Sequence, residues 1–549
     1  MILTINLNKM KKKLIIYSSA VAIGLLFTTG CTKNFAKINT DPTAFSATNF
    51  NPNYLLTTAE LDYTGSQDFS YDTWRADLIY CSTMIQGFAT SIGYWAGDKY
   101  LSNPDYLAAY WQSDNGADGA YSEQVKPIVD MVTSTTNEPQ YNNLHQIGRI
   151  MKALIFERIT DLYGDVPYSQ AGEGYYGKIL FPVYDKQQAI YTNLISELQD
   201  AVSKLNTGGD IPTGDAIYHG NIAEWQKFGN SLLLRVAMRL SKVDPATAKT
   251  VVTSLVGKTF TANADDAFFI HDANGGRPTV NRVSQVLQGG PENQYVKWSQ
   301  TFIDLLQGKA HPSDPIAAVP DPRLSIISAA NYTIGTPAAG GDTAPADQQG
   351  QPNGYDLSGT PGLTLGSAPY FVSVAAYSCP TFALTQLGTP TFILTYGETE
   401  LLWADAAERF GIGGSAATHY NNGVTAAMTY LSEYGSGATA VPAGSVTTYL
   451  AAHPYVAGTT GLNMINTQYW ELTNTMMDFY ESWSNWRRTG YPVLTPVVYP
   501  GNATAGTIPR RFPYPLVEAA NNPTNYTAAH NAVPGGDTMV GRVWWDPAQ

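Results

Sequence analysis

IGRIMKALIFERITDLYGDVPY, residues 147–168, carries the clearest structural signal in the chain. Ile147, Ile150, Met151, Leu154, Ile155, Ile159 and Leu162 recur three or four positions apart, which places them on one face of an amphipathic helix. The period stops at Gly164, just ahead of Pro167, where a helix would end. Downstream, Ile190, Leu194, Leu198, Val202 and Leu205 repeat the pattern between Pro182 and Gly208-Gly209. A third face holds Ile222, Trp225, Phe228, Leu232, Val236 and Leu240, with Arg235 and Arg239 one turn apart beside it. The spacing predicts further helices over 295–307, 395–410, 418–434 and 465–488.

Helices separated by loops suggest tetratricopeptide-like pairs, although no 34-residue consensus repeat is visible. The helical scaffold therefore falls mainly in 145–255 and 393–489. Between 308 and 392 Gly, Pro, Ala, Thr and Asp dominate, as in Thr336-Pro337-Ala338-Ala339-Gly340-Gly341, and no helical period survives. Residues 490–549 form a second irregular stretch. The expected fold is mainly α: a helix-pair scaffold with a large loop-rich irregular portion and a few short strands, one of them around Tyr370 to Ala375. Loops of this length usually carry function.

Composition narrows the partners. With 549 residues and 44% hydrophobic side chains, the chain can bury a large core and is not disordered. Only 14% of residues are charged, while aromatics reach 12% and tyrosines number 35. Such a surface is solvated by hydroxyls and amides more than by ions. The net charge is −13, and no basic stripe exists beyond Lys11 to Lys13, which argues against nucleic acid.

Lys11 to Lys13 followed by the apolar run Leu14 to Phe27 has the form of a signal peptide and is too short for a comfortable membrane span. It ends in Thr28-Thr29-Gly30-Cys31, the layout of a bacterial lipoprotein signal; an ordinary secretory signal with a chance cysteine is the alternative. The expected organisation is a signal over 1–30, a lipid-anchored tether over 31–52 beginning at Cys31, and one domain over 53–549. Losing Lys9, Lys11, Lys12 and Lys13 would leave 28 basic against 45 acidic residues, −17. A chain this acidic is repelled by an anionic lipid surface, so membrane attachment rests on the acyl anchor alone. Cys81 and Cys379 could pair across a long loop or stay as separate buried thiols, the second being favoured at this spacing.

Catalytic signatures are missing: no G-x-S-x-G, H-E-x-x-H, P-loop or kinase set, and seven scattered histidines. Gly411-Ile412-Gly413-Gly414 reads as a helix stop. Asp114-Asn115-Gly116-Ala117-Asp118-Gly119 resembles part of a calcium loop but lacks the closing ligand. No cofactor or metal is expected, while a pair of glycosidase carboxylates, adjacent only in space, would escape a sequence search. The aromatics say more. Trp74, Tyr94, Trp95 and Trp111 sit among Gly, Ser, Asp and Asn, and Tyr295 and Trp298 follow the turn Gly289-Gly290-Pro291. A flat ring can stack on a pyranose face while neighbouring amides bond its hydroxyls, so these six are the candidate ligand-binding residues. The alternative for each is a place in the core, as expected of Trp225, Phe228 and Trp403 on apolar helical faces.

Several segments, taken in order, resemble the SusD/RagB family of Bacteroidetes outer-membrane lipoproteins, in its SusD-like 2 branch. They are Ile38-Asn39-Thr40-Asp41-Pro42-Thr43, Thr160 to Tyr168 (TDLYGDVPY), Trp225 to Leu232 running into Leu234 to Arg239, and Asp321-Pro322-Arg323-Leu324. Trp486-Arg487-Arg488-Thr489-Gly490-Tyr491-Pro492, Ile508 to Pro515 (IPRRFPYP) and Trp544-Trp545-Asp546 complete the set. Thr28 and Thr32-Lys33-Asn34 depart from the family's usual export signals. The resemblance implies four tetratricopeptide-like helix pairs and a loop-rich half. It also implies a non-catalytic surface lipoprotein that captures an oligosaccharide, or in some members a peptide, and hands it to a SusC-like TonB-dependent transporter. A lipid-anchored hydrolase is the reading from another class. The family's ligand sites lie in variable loops, so no binding residue carries over. Asp161, Tyr163, Gly164 and Asp165 are expected to close a helix. Arg487, Arg488, Arg510 and Arg511 are expected to clamp carboxylates or carbonyls between the two halves, an anionic-ligand site being the alternative.

Overall fold

The helix read from residues 147–162 runs over Asn142–Tyr163 and buries all seven apolar residues of its face. In this computed structural model, residues 50–65, 71–112, 119–274, 279–313, 319–337, 340–435 and 437–548 are described. Cys31, the signal and the start of the tether lie outside them, as does most of the calcium-like stretch (114–118).

Ten helices of the region beginning at Pro52 matter here: α1 Asn53–Tyr63, α2 Lys126–Thr135, α3 Asn142–Tyr163, α4 Gln187–Lys204, α5 Ile222–Arg239, α6 Pro245–Ser254, α7 Tyr396–Phe410, α8 Ala416–Thr429, α9 Thr459–Met476 and α10 Phe479–Thr489. The pairs α3/α4, α5/α6, α7/α8 and α9/α10 pack consecutively, which is the tetratricopeptide-like scaffold. Local chemistry sets their ends. Asn221, Asp244, Ser415 and Asp478 accept backbone N–H groups in the first turns of α5, α6, α8 and α10, and Thr395 with Glu398 forms a capping box on α7. Gly164 ends α3 at φ +83° and Gly411 ends α7 at +68°, both in the region glycine enters most cheaply.

Among the described residues four two-stranded antiparallel ribbons form: Phe88–Thr90 with Val296–Trp298, Val166–Pro167 with Tyr184–Asp185, Ala267–Phe269 with Thr391–Leu394, and Ser328–Ala329 with Cys379–Pro380. Several expectations need correction. The helix over 295–307 is interrupted: Val296–Trp298 is a strand, and Ser299 caps a separate helix, Gln300–Leu306. The helix over 465–488 is two, broken where Met477 takes φ +60°. No strand forms around Tyr370 to Ala375. Tyr370 sits at φ +59°, and Phe371 and Val374 pack on a small satellite core of Leu365, Ala368 and Tyr377 rather than on a sheet edge. The stretch 490–549 contains a helix, Pro523–Ala532. Cys81 and Cys379 are free, buried thiols.

The interior is tied by ions as well as apolar contacts. Arg235 pairs with Glu157 at 2.6 Å, Arg239 with Glu481 at 2.5 Å, and Arg488 with Asp405 at 3.0 Å, all buried. The Arg488 guanidinium holds the Asp405 carboxyl down at about 2 against its burial. The tail arginines behave as expected: Arg487 donates to the carbonyls of Asp161 and Arg510, Arg510 pairs with Asp546, and Arg511 bonds Asp537 and the Tyr163 carbonyl. Such pairs fix which elements meet, because removing one partner strands the other charge in a dry interior. Among the described residues no helix is long and apolar enough to cross a membrane.

Candidate functional site

The six candidate aromatics divide into two groups. Trp74, Tyr94 and Trp95 converge on one side chain that the sequence did not flag, Glu292. Its Oε1 accepts the Trp74 indole N–H at 3.0 Å, the Tyr94 hydroxyl at 2.5 Å and the Trp95 indole N–H at 3.3 Å. Glu292 opens the short helix Glu292–Tyr295 after the turn Gly289-Gly290-Pro291 and is almost wholly buried. Gly290 lets it lie there: a Cβ at that position would stand 2.9 Å from Glu292 Oε2.

Around this acceptor the rings form a continuous run. Trp74 stacks beside Tyr71 (centroids 6.5 Å, 18° between planes) and meets Tyr94 edge-on (6.0 Å, 85°). The Arg75 guanidinium lies 4.0 Å from the Tyr71 centroid and 4.8 Å from that of Tyr106. Tyr94 is exposed, and Tyr71, Trp74, Tyr106 and Tyr295 are half-buried. Burial and the adjacent Glu292 push the Tyr94 phenol well up, so it stays a neutral hydroxyl. Tyr71, Trp74 and Arg75 sit on the π-helical segment that spans Asp72–Ser82 and the residue before it, a backbone form that recurs at functional sites. Their i, i+3, i+4 spacing, and the acid directly after Gly-Gly-Pro, were signals available in the sequence.

The other group is core, which corrects its candidacy. Trp298 is fully buried between Phe88 and Phe302, both at 4.7 Å, with its indole N–H on the Ile327 carbonyl. Trp111 is walled by Tyr121, Tyr163, Tyr184 and Tyr514. Trp95 is likewise fully buried and reaches the cluster through its indole N–H. Polar ends that needed interior acceptors found them, and rings so enclosed have no free face. Tyr295, three residues after Glu292, is half-buried and packs against the main core. Trp225, Phe228 and Trp403 are core as expected.

The loop around 355–377 borders this area: the Leu357 N–H donates to the Ser91 carbonyl at 3.2 Å, and the Asn331 N–H to that of Ala375. Chemically the cluster presents ring faces and edges, with the polar ends of Trp74, Tyr94 and Trp95 taken by Glu292. That suits contact with an uncharged ligand and leaves Glu292 engaged by protein donors. Among the described residues no group of three or more His, Cys, Asp or Glu could hold a metal ion.

The sequence profile of the SusD-like_2 family, described as starch-binding and associating with the outer membrane, matches residues 76–515. The chain belongs to this family. No curated protein matches it. Among solved structures it is similar to a chitin-binding protein, at 31% identity and a TM-score of 0.75, with 91% of this chain and 100% of that one covered. A Bacteroidetes AC2a SusD-like protein (24%, TM-score 0.72) and a SusD homolog from Bacteroides uniformis (22%, 0.69) share the fold over 91% of this chain and all of theirs. The chain is thus a member of a family described as starch-binding and outer-membrane-associating, and it carries a helix-pair scaffold.

Proposed function

We propose that the protein captures an uncharged oligosaccharide at the cell surface, without cleaving it, and delivers it to a SusC-like TonB-dependent outer-membrane transporter. In this reading residues 1–30 are a signal peptide, Cys31 carries the lipid anchor, 31–52 are the tether and 53–549 the receptor domain. The observation that carries it is the run of part-exposed rings in which Trp74 and Tyr94 are held by the buried Glu292 carboxylate and Tyr71 stacks beside Trp74. Pre-set rings lose little freedom on binding, and stacking requires no charge on the ligand. The similarity to a chitin-binding protein puts β-linked N-acetylhexosamine oligomers first among ligands to try. Calorimetry of the purified chain against chito- and malto-oligosaccharides and peptide pools tests it, with the sugars recovered and sized afterwards. Saturable binding of an intact sugar is expected. Competition by peptides alone would turn the reading to peptide capture, and shortened sugars would make the protein a hydrolase.

A further inference from the structure

The loop between Tyr355 and Tyr377 stands with both feet on the segments that build the Glu292 cluster. At one foot the Leu357 N–H donates to the carbonyl of Ser91, three residues before Tyr94. At the other, the turn Val374–Ala376 packs against the helix Glu292–Tyr295, and the Ala375 carbonyl accepts the Asn331 N–H at 2.7 Å. The crest between the feet is braced. Phe371 and Val374 pack on Leu365, Ala368 and Tyr377, and the Leu365 N–H donates to the Asp356 carbonyl at 2.8 Å. Gln349 Nε2 donates to the Tyr370 carbonyl at 3.1 Å.

From this crest Tyr370 puts its ring into water, 85% exposed, with Val372 at 77% and Leu357 at 57%. A single exposed apolar residue is ordinary. Tyr370, however, also takes φ +59°, a conformation that costs a residue with a side chain and that clusters at ligand clamps. Its ring is displayed at a backbone cost rather than left over from packing. Four residues of chain join it to Val374, so its Cα lies within about 14 Å of that foot.

The chemistry of the crest matches that of the cluster. Between 355 and 377 the one carboxylate is Asp356, and the hydroxyls of Tyr499 and Ser358 donate to it at 2.5 and 2.6 Å. The remaining side chains are hydroxylic or apolar. Asp342, whose carbonyl accepts the Ala330 N–H, and Asp347 are exposed on the adjoining segment, which disfavours an anionic ligand. A ring edged by hydroxyls suits the face of an uncharged sugar.

Resting on the function proposed above, we propose that Tyr370 is a further stacking residue of the same site. It contacts units of the oligosaccharide beyond those on Trp74 and Tyr94, so that the loop selects for chain length. Calorimetry of the purified chain with chito-oligosaccharides from the disaccharide to the hexasaccharide tests it, repeated with the malto-oligosaccharide series. In the series that binds, wild-type affinity should rise with length. Tyr370→Ala should leave the disaccharide unchanged and weaken the hexasaccharide by about tenfold, the worth of one stacked ring, with thermal melting unchanged. Tyr370→Phe keeps the ring and should match wild type at every length, whereas Trp74→Ala should weaken all lengths alike. A hexasaccharide held equally by wild type and Tyr370→Ala overturns the assignment and leaves the proposed function standing. So does a loss in Tyr370→Ala that is the same at every length. A wild-type chain that binds neither series overturns the oligosaccharide reading and this assignment with it.

Discussion

Trp298 and Trp74 sit in two regions that the residue types alone do not separate. The interior around α9 holds Trp298 with Phe88, Phe302 and Trp470, and beside it Glu398, which caps α7 and accepts the Tyr469 hydroxyl. The cluster on Glu292 holds Trp74, Tyr94 and Trp95. In the first region the indole N–H groups go to backbone carbonyls and no ring face is free; in the second a buried carboxylate takes them, and Trp74 and Tyr94 stay part-exposed. The lesson is that a buried carboxylate can serve stability in one place and posture in another, depending on whether the rings it meets face protein or water.

The same pair of substitutions in each region would break or sharpen this contrast. Trp298→Ala should be the largest blow, destabilising the fold by about 3–5 kcal/mol through the cavity it leaves, read by denaturant unfolding. Glycan affinity of the folded fraction should not change; a specific affinity loss would return Trp298 to the site.

Glu398→Gln comes next and depends on pH. Burial holds the Glu398 proton on up to about 8. The unfolded chain releases it near the ordinary carboxyl value of about 4.5. Between those values the folded chain binds more protons, so its stability falls as pH rises and levels off above 8. Glutamine keeps the capping geometry and carries no such proton. The variant should therefore gain on wild type across that window, by on the order of a few kcal/mol. Parallel melting curves at pH 5 and pH 8.5 would refute it.

In the other region the readout moves to the ligand. Trp74→Ala should weaken glycan binding by about 1–3 kcal/mol, the worth of a ring stacked on a flat ligand, with a smaller effect on melting. Unchanged affinity would remove this cluster as the site. Glu292→Gln should be mildest, roughly 1 kcal/mol of affinity, since an amide oxygen still accepts but charge-assisted bonds are about twice as strong as neutral ones. Melting that collapses in this variant would mean the cluster is structural after all.

The scaffold was legible because its signals are local. Periodic apolar residues and the stops at Gly164 and Gly411 each act within a turn or two of chain. The tail arginines were legible in kind, since a guanidinium beside a helix end must find oxygen. What failed also has a local cause: Val296 and Trp298 suit strand and helix alike, and the segment's pairing with Phe88–Thr90 lies about two hundred residues away.

The order of residues alone therefore settled the individual helices and the loop-rich half, because propensity and periodicity are properties of short stretches. Which tryptophans are walls and which are surface was decided only when Glu292 met Trp74 and Tyr94 from about two hundred residues away. Exposure is a relation between distant segments, and no single stretch contains it.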